Sequence, residues 1–246
     1  MMTSTPSVSH ELPGRQAMRS CFVIGTDVGV GKTLVASALV HLLRSHGFHT
    51  VGMKPVAAGA TLDHGRWRHA DLEQLAAAGS FSLPDRALSP YLFRQALAPH
   101  IAAEMAGIVM VLDEMVDSFD VLATWADVVV VDGVGGFRVP LSEEFDSADL
   151  ASALNLPLIL VVGIKRGCMS HALLTTEALR ARGLALIGWV ANVIDAELPE
   201  AQRHVAALRS RIAAPCLAQI PRMVSPDAAT VARRLSIDTV RAALEA

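Results

Sequence analysis

The sequence predicts an α/β fold, with a doubly wound, mostly parallel sheet flanked by helices. Three observations carry this. Short β-branched runs alternate with alanine- and leucine-rich stretches of helical length, the order produced when crossover helices return each strand parallel to the last. The runs 128–131 and 156–164 are apolar throughout, apart from Pro157 and Gly163, as strands covered on both faces must be. A glycine-rich loop ending in Gly31-Lys32-Thr33 follows the first run, in the strand–loop–helix context of a phosphate site.

In chain order, residues 21–25 read as the first strand. Residues 32–45 read as an apolar helix ended by Gly47. Residues 50–54 form a second strand, closed by Pro55, because proline removes a ladder donor. Residues 56–70 read as a loop, and 71–79 as a helix ended by glycine. Residues 80–99 hold three prolines and read as irregular. Helices are expected over 100–106 and 111–124. A strand over 128–131 runs into the glycine-rich turn 133–136. The rest alternates: helix 147–154, strand 158–162, helix 170–182, strand 185–191, helix 199–211, strand 216–220, and a helical C-terminal stretch.

Length and composition bound the reading. The 246 residues allow one large domain or two small ones. No linker divides them, so residues 21–246 read as a single phosphate-loop α/β domain. Apolar residues are 52% and charged residues 18%, outside the disordered regime. A net charge of −3 points away from a broadly basic nucleic-acid surface. Mean hydropathy is +0.41, yet no apolar run approaches the ~20 residues of a membrane span. Residues 1–20, rich in Ser, Thr, Pro and His without an apolar core, read as a disordered leader or a misassigned start rather than a secretory signal. Cys21, Cys168 and Cys216 are odd in number and widely spaced, which fits reduced thiols and a cytoplasmic location. Cys168 and His171 make a C-x-x-H with no second pair to complete a zinc site.

The chemistry concentrates in Gly25-Thr26-Asp27-Val28-Gly29-Val30-Gly31-Lys32-Thr33. Glycines let backbone N–H groups face a phosphate, and the following helix adds its positive end. Lys32 would reach the β- and γ-phosphates, and the Thr33 hydroxyl would ligate Mg²⁺. The first glycine stands six residues before Gly31, one more than the strict phosphate-loop spacing. Magnesium on a nucleotide also takes one or two carboxylates. Asp132 ends a strand, where such an acid belongs, although Asp before Gly also forms turns. Asp71, by position alone, reads as an N-cap. Lys54 ends a strand and could neutralise a transferring phosphoryl group, or be a solvated lysine. The histidines, including His64 and His69, follow no metal spacing and read as surface or loop residues.

These segments resemble the dethiobiotin synthetase family. Gly-Thr-Asp-x-x-Val-Gly-Lys-Thr is followed by Gly-Met-Lys-Pro-Val-Ala, then by Pro99-His100-Ile101 and the stretch 131–136. Further on come 161–163, 165–172, 188–192 and Ile220-Pro221, all in the family's order over roughly residues 20–230. The extra loop residue is a family trait. The resemblance implies a homodimer that joins CO₂ or bicarbonate to 7,8-diaminononanoate with ATP and Mg²⁺, through a carbamate and a carbamic–phosphoric anhydride. It implies that Lys54 and Lys32 are catalytic and that Thr33, Asp71 and Asp132 hold the metal. ATP would meet Gly29, Val30, Gly31, Lys32, Thr33, Asp71, Asp132, Gly133, Val134 and Gly135, with Asn192 and the turn Pro221-Arg222-Met223 at adenine. The substrate would meet Thr26, Lys54 and Ala58. Its carboxylate tail would meet a helix start at Gly167, Cys168, Met169 and Ser170. No nucleic acid or membrane partner is implied.

Two positions depart from the family. Ala58 stands where members often carry a substrate-binding Ser, and Asp132 where the familiar form has Glu. The chemistry is expected to survive both, with weaker substrate binding. A dimeric switch ATPase of the partitioning type shares the fold, but its loop carries an early lysine that 26–29 lack. A glutamine-dependent amidotransferase would need a further domain, and too few residues follow Asp195 to hold one. An inactive binding relative fits Ala58 but not Lys32, Thr33 and Lys54, and a related ligase acting on another diamine is the further alternative.

Overall fold

The computed structural model describes residues 18–245. The strands are β1 Cys21–Gly25, β2 Thr50–Met53, β3 Val56–Ala58, β4 Thr61–Asp63, β5 Arg66–Arg68, β6 Tyr91–Phe93, β7 Val128–Asp132, β8 Leu158–Ile164, β9 Leu186–Val193 and β10 Cys216–Ile220. The helices are α1 Lys32–Ser45, α2 Ala70–Ala78, α3 Asp85–Leu88, α4 Pro99–Ala106, α5 Leu112–Ala123, α6 Ser147–Leu154, α7 Cys168–Ala181, α8 Ala201–Arg209, α9 Ala228–Ala232 and α10 Ile237–Glu245.

Six strands form the central sheet in the order β2-β7-β1-β8-β9-β10, and every neighbouring pair is parallel. The chain leaves β1 for β2 on one side, returns through β7, then crosses to β8 on the other. The strand order therefore reverses at β1, and the crevice at the carboxyl ends there is where such sheets bind ligands. Strand alternation shows both faces covered. Val128 and Val130 belong to the apolar layer that α1, α9 and α10 complete, while Val129 and Val131 belong to the layer that α5, α6, α7 and α8 complete. Burying each valine contributes about 1.5–3 kcal/mol, and this is why these runs read as strands without polar alternation.

The expected central elements are present, with differences at their ends and in two connections. The stretch 56–70 is not a plain loop. It holds β3, which pairs parallel with β6, and the antiparallel hairpin β4–β5. Likewise 80–99 contains α3 and β6 rather than only irregular chain. Strands of three residues carry too little alternation to be recognised from sequence. Helix α7 starts at Cys168, two residues before the expected start, because Gly167 adopts φ +82° and caps it. Lys54 lies just past β2, its N–H donating to Leu88 O at 2.8 Å. The expected leader 1–20 ends too late: Met18 is buried, and Ser20 Oγ accepts the Val129 N–H at 2.9 Å. The leader's remaining residues, 1–17, lie outside the described residues.

Candidate functional site

The phosphate loop leaves β1 and turns into α1. Thr26 N–H donates to Val161 O at 3.1 Å, tying the start of the loop to β8. Gly31 is the N-cap of α1 with φ +90°, and no side chain caps that helix end or places an acid in its first turn. A Cβ at Gly31 would lie 2.4 Å from Asn192 Nδ2, so glycine is required both by backbone angle and by space. Asn192 Nδ2 donates to Val30 O at 2.9 Å, so β9 braces the loop from behind. Lys32 Nζ folds back over the loop and donates to Asp27 O at 2.9 Å.

Beside the loop, four side chains predicted from sequence meet. Thr33 Oγ1 donates to Asp132 Oδ2 at 2.6 Å. Lys54 Nζ donates to the same oxygen at 2.7 Å and to Gly133 O at 3.3 Å. The same ammonium lies 3.0 Å from Asp71 Oδ2. Asp132 is fully buried and Lys54 nearly so. Burial alone would discharge Lys54, but the Asp132 and Asp71 carboxylates outweigh it and raise its pKa. Burial likewise opposes the Asp71 charge, and Lys54 and Thr33 overcome it, leaving that carboxyl below its usual value. Lys32 goes the other way: burial, with Lys54 nearby, lowers it to about 8 against the pull of Asp132.

The donor set fits Mg²⁺. Asp132 Oδ1 is buried without a hydrogen-bond partner, which is costly for a carboxylate oxygen unless something charged meets it. Thr33 and Asp71 stand next to it. Among the described residues no group of three or more His, Cys, Asp or Glu could hold a metal. A nucleotide-bound Mg²⁺ needs no such cage, since phosphate and water supply most of its ligands.

The other predicted residues fall in two places. Asn192 pairs in register with Ile220, so the exposed turn Pro221-Arg222 and half-buried Met223 follow directly beside it. Gly167, buried Cys168, Met169 and Ser170 form the start of α7, which no side chain caps. His171 is exposed one turn on, away from any zinc constellation among the described residues. A cavity of about 370 Å³ opens between Thr26, Asp27, Gly136, Arg138, His171 and Thr175. Ala58 ends β3, and its carbonyl accepts from His69 Nε2 at 3.2 Å.

Three residues were not foreseen. His69 is the N-cap of α2, its Nδ1 accepting the Asp71 N–H at 3.2 Å. It therefore joins Asp71 to Ala58, and no spacing rule marks it. Asp27 Oδ2 accepts from Lys165 Nζ at 2.6 Å. Their 138-residue separation hid the pair, although both follow strands whose adjacency a full topology would reveal.

Fold and site define a phosphate-loop nucleotide-binding protein, and known proteins agree. A family described as an AAA domain matches residues 19–230. The chain is 49% identical over 217 residues to the ATP-dependent dethiobiotin synthetase BioD of Ralstonia nicotianae, covering 88% of this chain and 95% of that protein. Among solved structures, cobyrinic acid a,c-diamide synthase of Mycobacterium smegmatis, with bound ATP analogue and magnesium, aligns with TM-score 0.54 and 18% identity, covering 88% and 91% of the two chains. The septum site-determining protein MinD of Pyrococcus horikoshii aligns with TM-score 0.52 and 20% identity, covering 83% and 82%. The last two likenesses concern the fold alone. The chain belongs to the ATP-dependent dethiobiotin synthetase family.

Proposed function

We propose that the chain uses ATP to carboxylate 7,8-diaminononanoate and close the cyclic urea of dethiobiotin, releasing ADP and phosphate. One amine captures CO₂ as a carbamate, whose oxygen attacks the γ-phosphate. The second amine then displaces phosphate and closes the ring. The observation that carries this reading is the Lys54 ammonium held 2.7 Å from Asp132 and 3.0 Å from Asp71, beside the phosphate loop.

Attack of one anion on another is limited by charge, so positioned cations are the main lever. Lys54 is kept charged by its carboxylate neighbours and aimed by them. Lys32 sits over the loop crest, and its lowered pKa makes its charge sensitive to the arrival of phosphate. Thr33, Asp71 and Asp132 would hold Mg²⁺, which when bound neutralises phosphate oxygens. Gly29 to Thr33 and 133–135 line the ATP side. Asn192 and 221–223 stand toward adenine. Thr26, Ala58 and 167–170 serve the substrate. The start of α7, without side-chain cap or acid, suits a carboxylate tail.

The reading takes 21–246 as one domain, working as a cytoplasmic homodimer. Leu173 and Leu174, left exposed on α7, support a second copy seating there. No helix among the described residues is long and apolar enough to cross a membrane.

Phosphate release from ATP with Mg²⁺ and bicarbonate, with and without 7,8-diaminononanoate, tests the reading. Diamine-dependent release is expected, with a product that has gained one carbonyl and lost two amine hydrogens. Release indifferent to the diamine would overturn it and move the function to another acceptor or to a switch ATPase.

A further inference from the structure

We propose that Asp27 and Lys165 are a positioning pair that locks the phosphate loop to the turn in front of α7, so that each half of the site sets the geometry of the other. What the α7 turn holds rests on the function proposed above; the pair itself can be tested with ATP alone.

Asp27 is engaged through three atoms. Its Oδ1 accepts the Val28 N–H at 2.7 Å, and its Oδ2 accepts from Lys165 Nζ at 2.6 Å. Its carbonyl accepts from Lys32 Nζ at 2.9 Å. One residue therefore shapes the loop crest and seats the lysine over it. Lys165 is engaged in the same way on its side. It follows β8 directly, and its carbonyl accepts the Cys168 N–H at 3.1 Å, closing the turn that Gly167 caps. β1 and β8 are neighbours in the sheet, so the ion pair bridges the turns that follow two adjacent strands. The Asp27 carboxyl lies below its usual value, first through the Lys165 hydrogen bond and then through Val28.

Asp27 also walls the cavity between the loop and α7, so the pair sets how far apart those walls stand. Its side chains are 29% and 38% exposed. A pair so open contributes little to folding, which gives the proposal a clear discriminant. Loss of the pair should disturb ligand binding far more than stability. If Lys165 releases the Asp27 carboxylate, the Asp27 peptide is freed, and the seat of Lys32 moves with it.

The test uses the full chain and titrates Mg·ATP calorimetrically without diamine, with melting temperature recorded alongside. Lys165→Met and Asp27→Asn should each weaken ATP by roughly tenfold, the usual scale for a lost hydrogen bond to a charged group. The melting temperature should hold within about 2 °C. The double variant should be no worse than either single, because both remove one interaction. Lys165→Arg should recover most of the affinity. Unchanged ATP affinity in both singles, losses that multiply in the double, or affinity falling only in step with melting temperature would each overturn the proposal. With the diamine present, Lys165→Met should raise its KM more than it lowers kcat. If the parent chain shows no diamine-dependent turnover, the functional reading fails while the ATP arm still decides the pair.

Discussion

Helices α1 and α6 both start near the end of β7, and they finish their N-termini in opposite ways. The start of α6 is closed by its own chain. Asp146 accepts the N–H groups of Ala148 and Asp149, and Asp149 accepts the Asp146 N–H in return. The start of α1 has neither a capping side chain nor an acid, only Gly31 followed by Lys32 and Thr33. A helix end filled by local carboxylates has spent its attraction for anions. One left open keeps its N–H groups for a ligand. The start of α7 resembles α1 rather than α6, and the Asp27–Lys165 pair joins those two open ends. The same contrast runs between the two edges of the sheet. The amino edge holds a groove of about 1360 Å³ lined by Asn155, Pro157, Ala185 and Pro215. The Lys54–Asp132–Asp71 cluster and the Asp27–Lys165 pair sit instead at the carboxyl edge. Volume alone would have pointed to the wrong end of the molecule.

The sharpest way to break this comparison is at the charged cluster. Lys54→Met should lower diamine-dependent turnover by about 10²–10³-fold, the scale for removing one positioned transition-state donor, while ATP still binds. Rates and calorimetric affinities on the same preparation would show this, and equal losses in both would refute it. Next is Gly31→Ala, which forces alanine to φ +90° and against Asn192 Nδ2. It should cost about 1–3 kcal/mol of stability and weaken ATP, read by chemical denaturation and titration. Asp146→Ala attacks the closed helix instead. It should cost about 1–2 kcal/mol and leave ATP affinity unchanged; a loss of ATP binding would mean that α6 is not independent of the open ends.

The smallest effect concerns pH. In the parent, Asp71 is held below the ordinary 3.8 despite burial, chiefly by Lys54. Its contribution to stability is therefore in place above 3.8 and is lost as pH falls through its depressed value. Lys54→Met removes that partner, and burial, the largest influence, then outweighs the remaining His69 charge and Thr33 hydrogen bond and pushes the carboxyl up. The contribution then changes sign, and the variant loses stability as pH rises through the raised value. The gap in melting temperature between parent and variant should widen from about pH 4 to pH 8; a constant gap would contradict the assignment.

Much of this was readable from residues alone. Val128 to Val131 and Leu158 to Ile164 declared themselves as strands because both faces needed apolar cover. Gly31-Lys32-Thr33 declared a phosphate site because strand, glycine and helix came together. Asp132 could be placed by its strand end. Asp71 could not, since an acid at a helix start usually caps, and only the family resemblance singled it out. β3 and β6 escaped because three residues show no period. His69 escaped because its role depends on where Ala58 and Asp71 lie in space. Asp27 with Lys165 escaped because an ion pair across a sheet is a property of strand order.

That strand order also times how the protein comes into being. β1 is made first, yet its two neighbours are β7, starting at Val128, and β8, starting at Leu158. At synthesis rates of about 5–20 residues per second, the hundred residues between β1 and β7 take roughly 5–20 s. Through that interval the phosphate loop has neither the β8 carbonyl that holds Thr26 nor the Asn192 amide that braces Val30. The phosphate loop thus follows the earliest strand of the sheet, and its bracing from β8 and β9 is complete only when synthesis has passed residue 192.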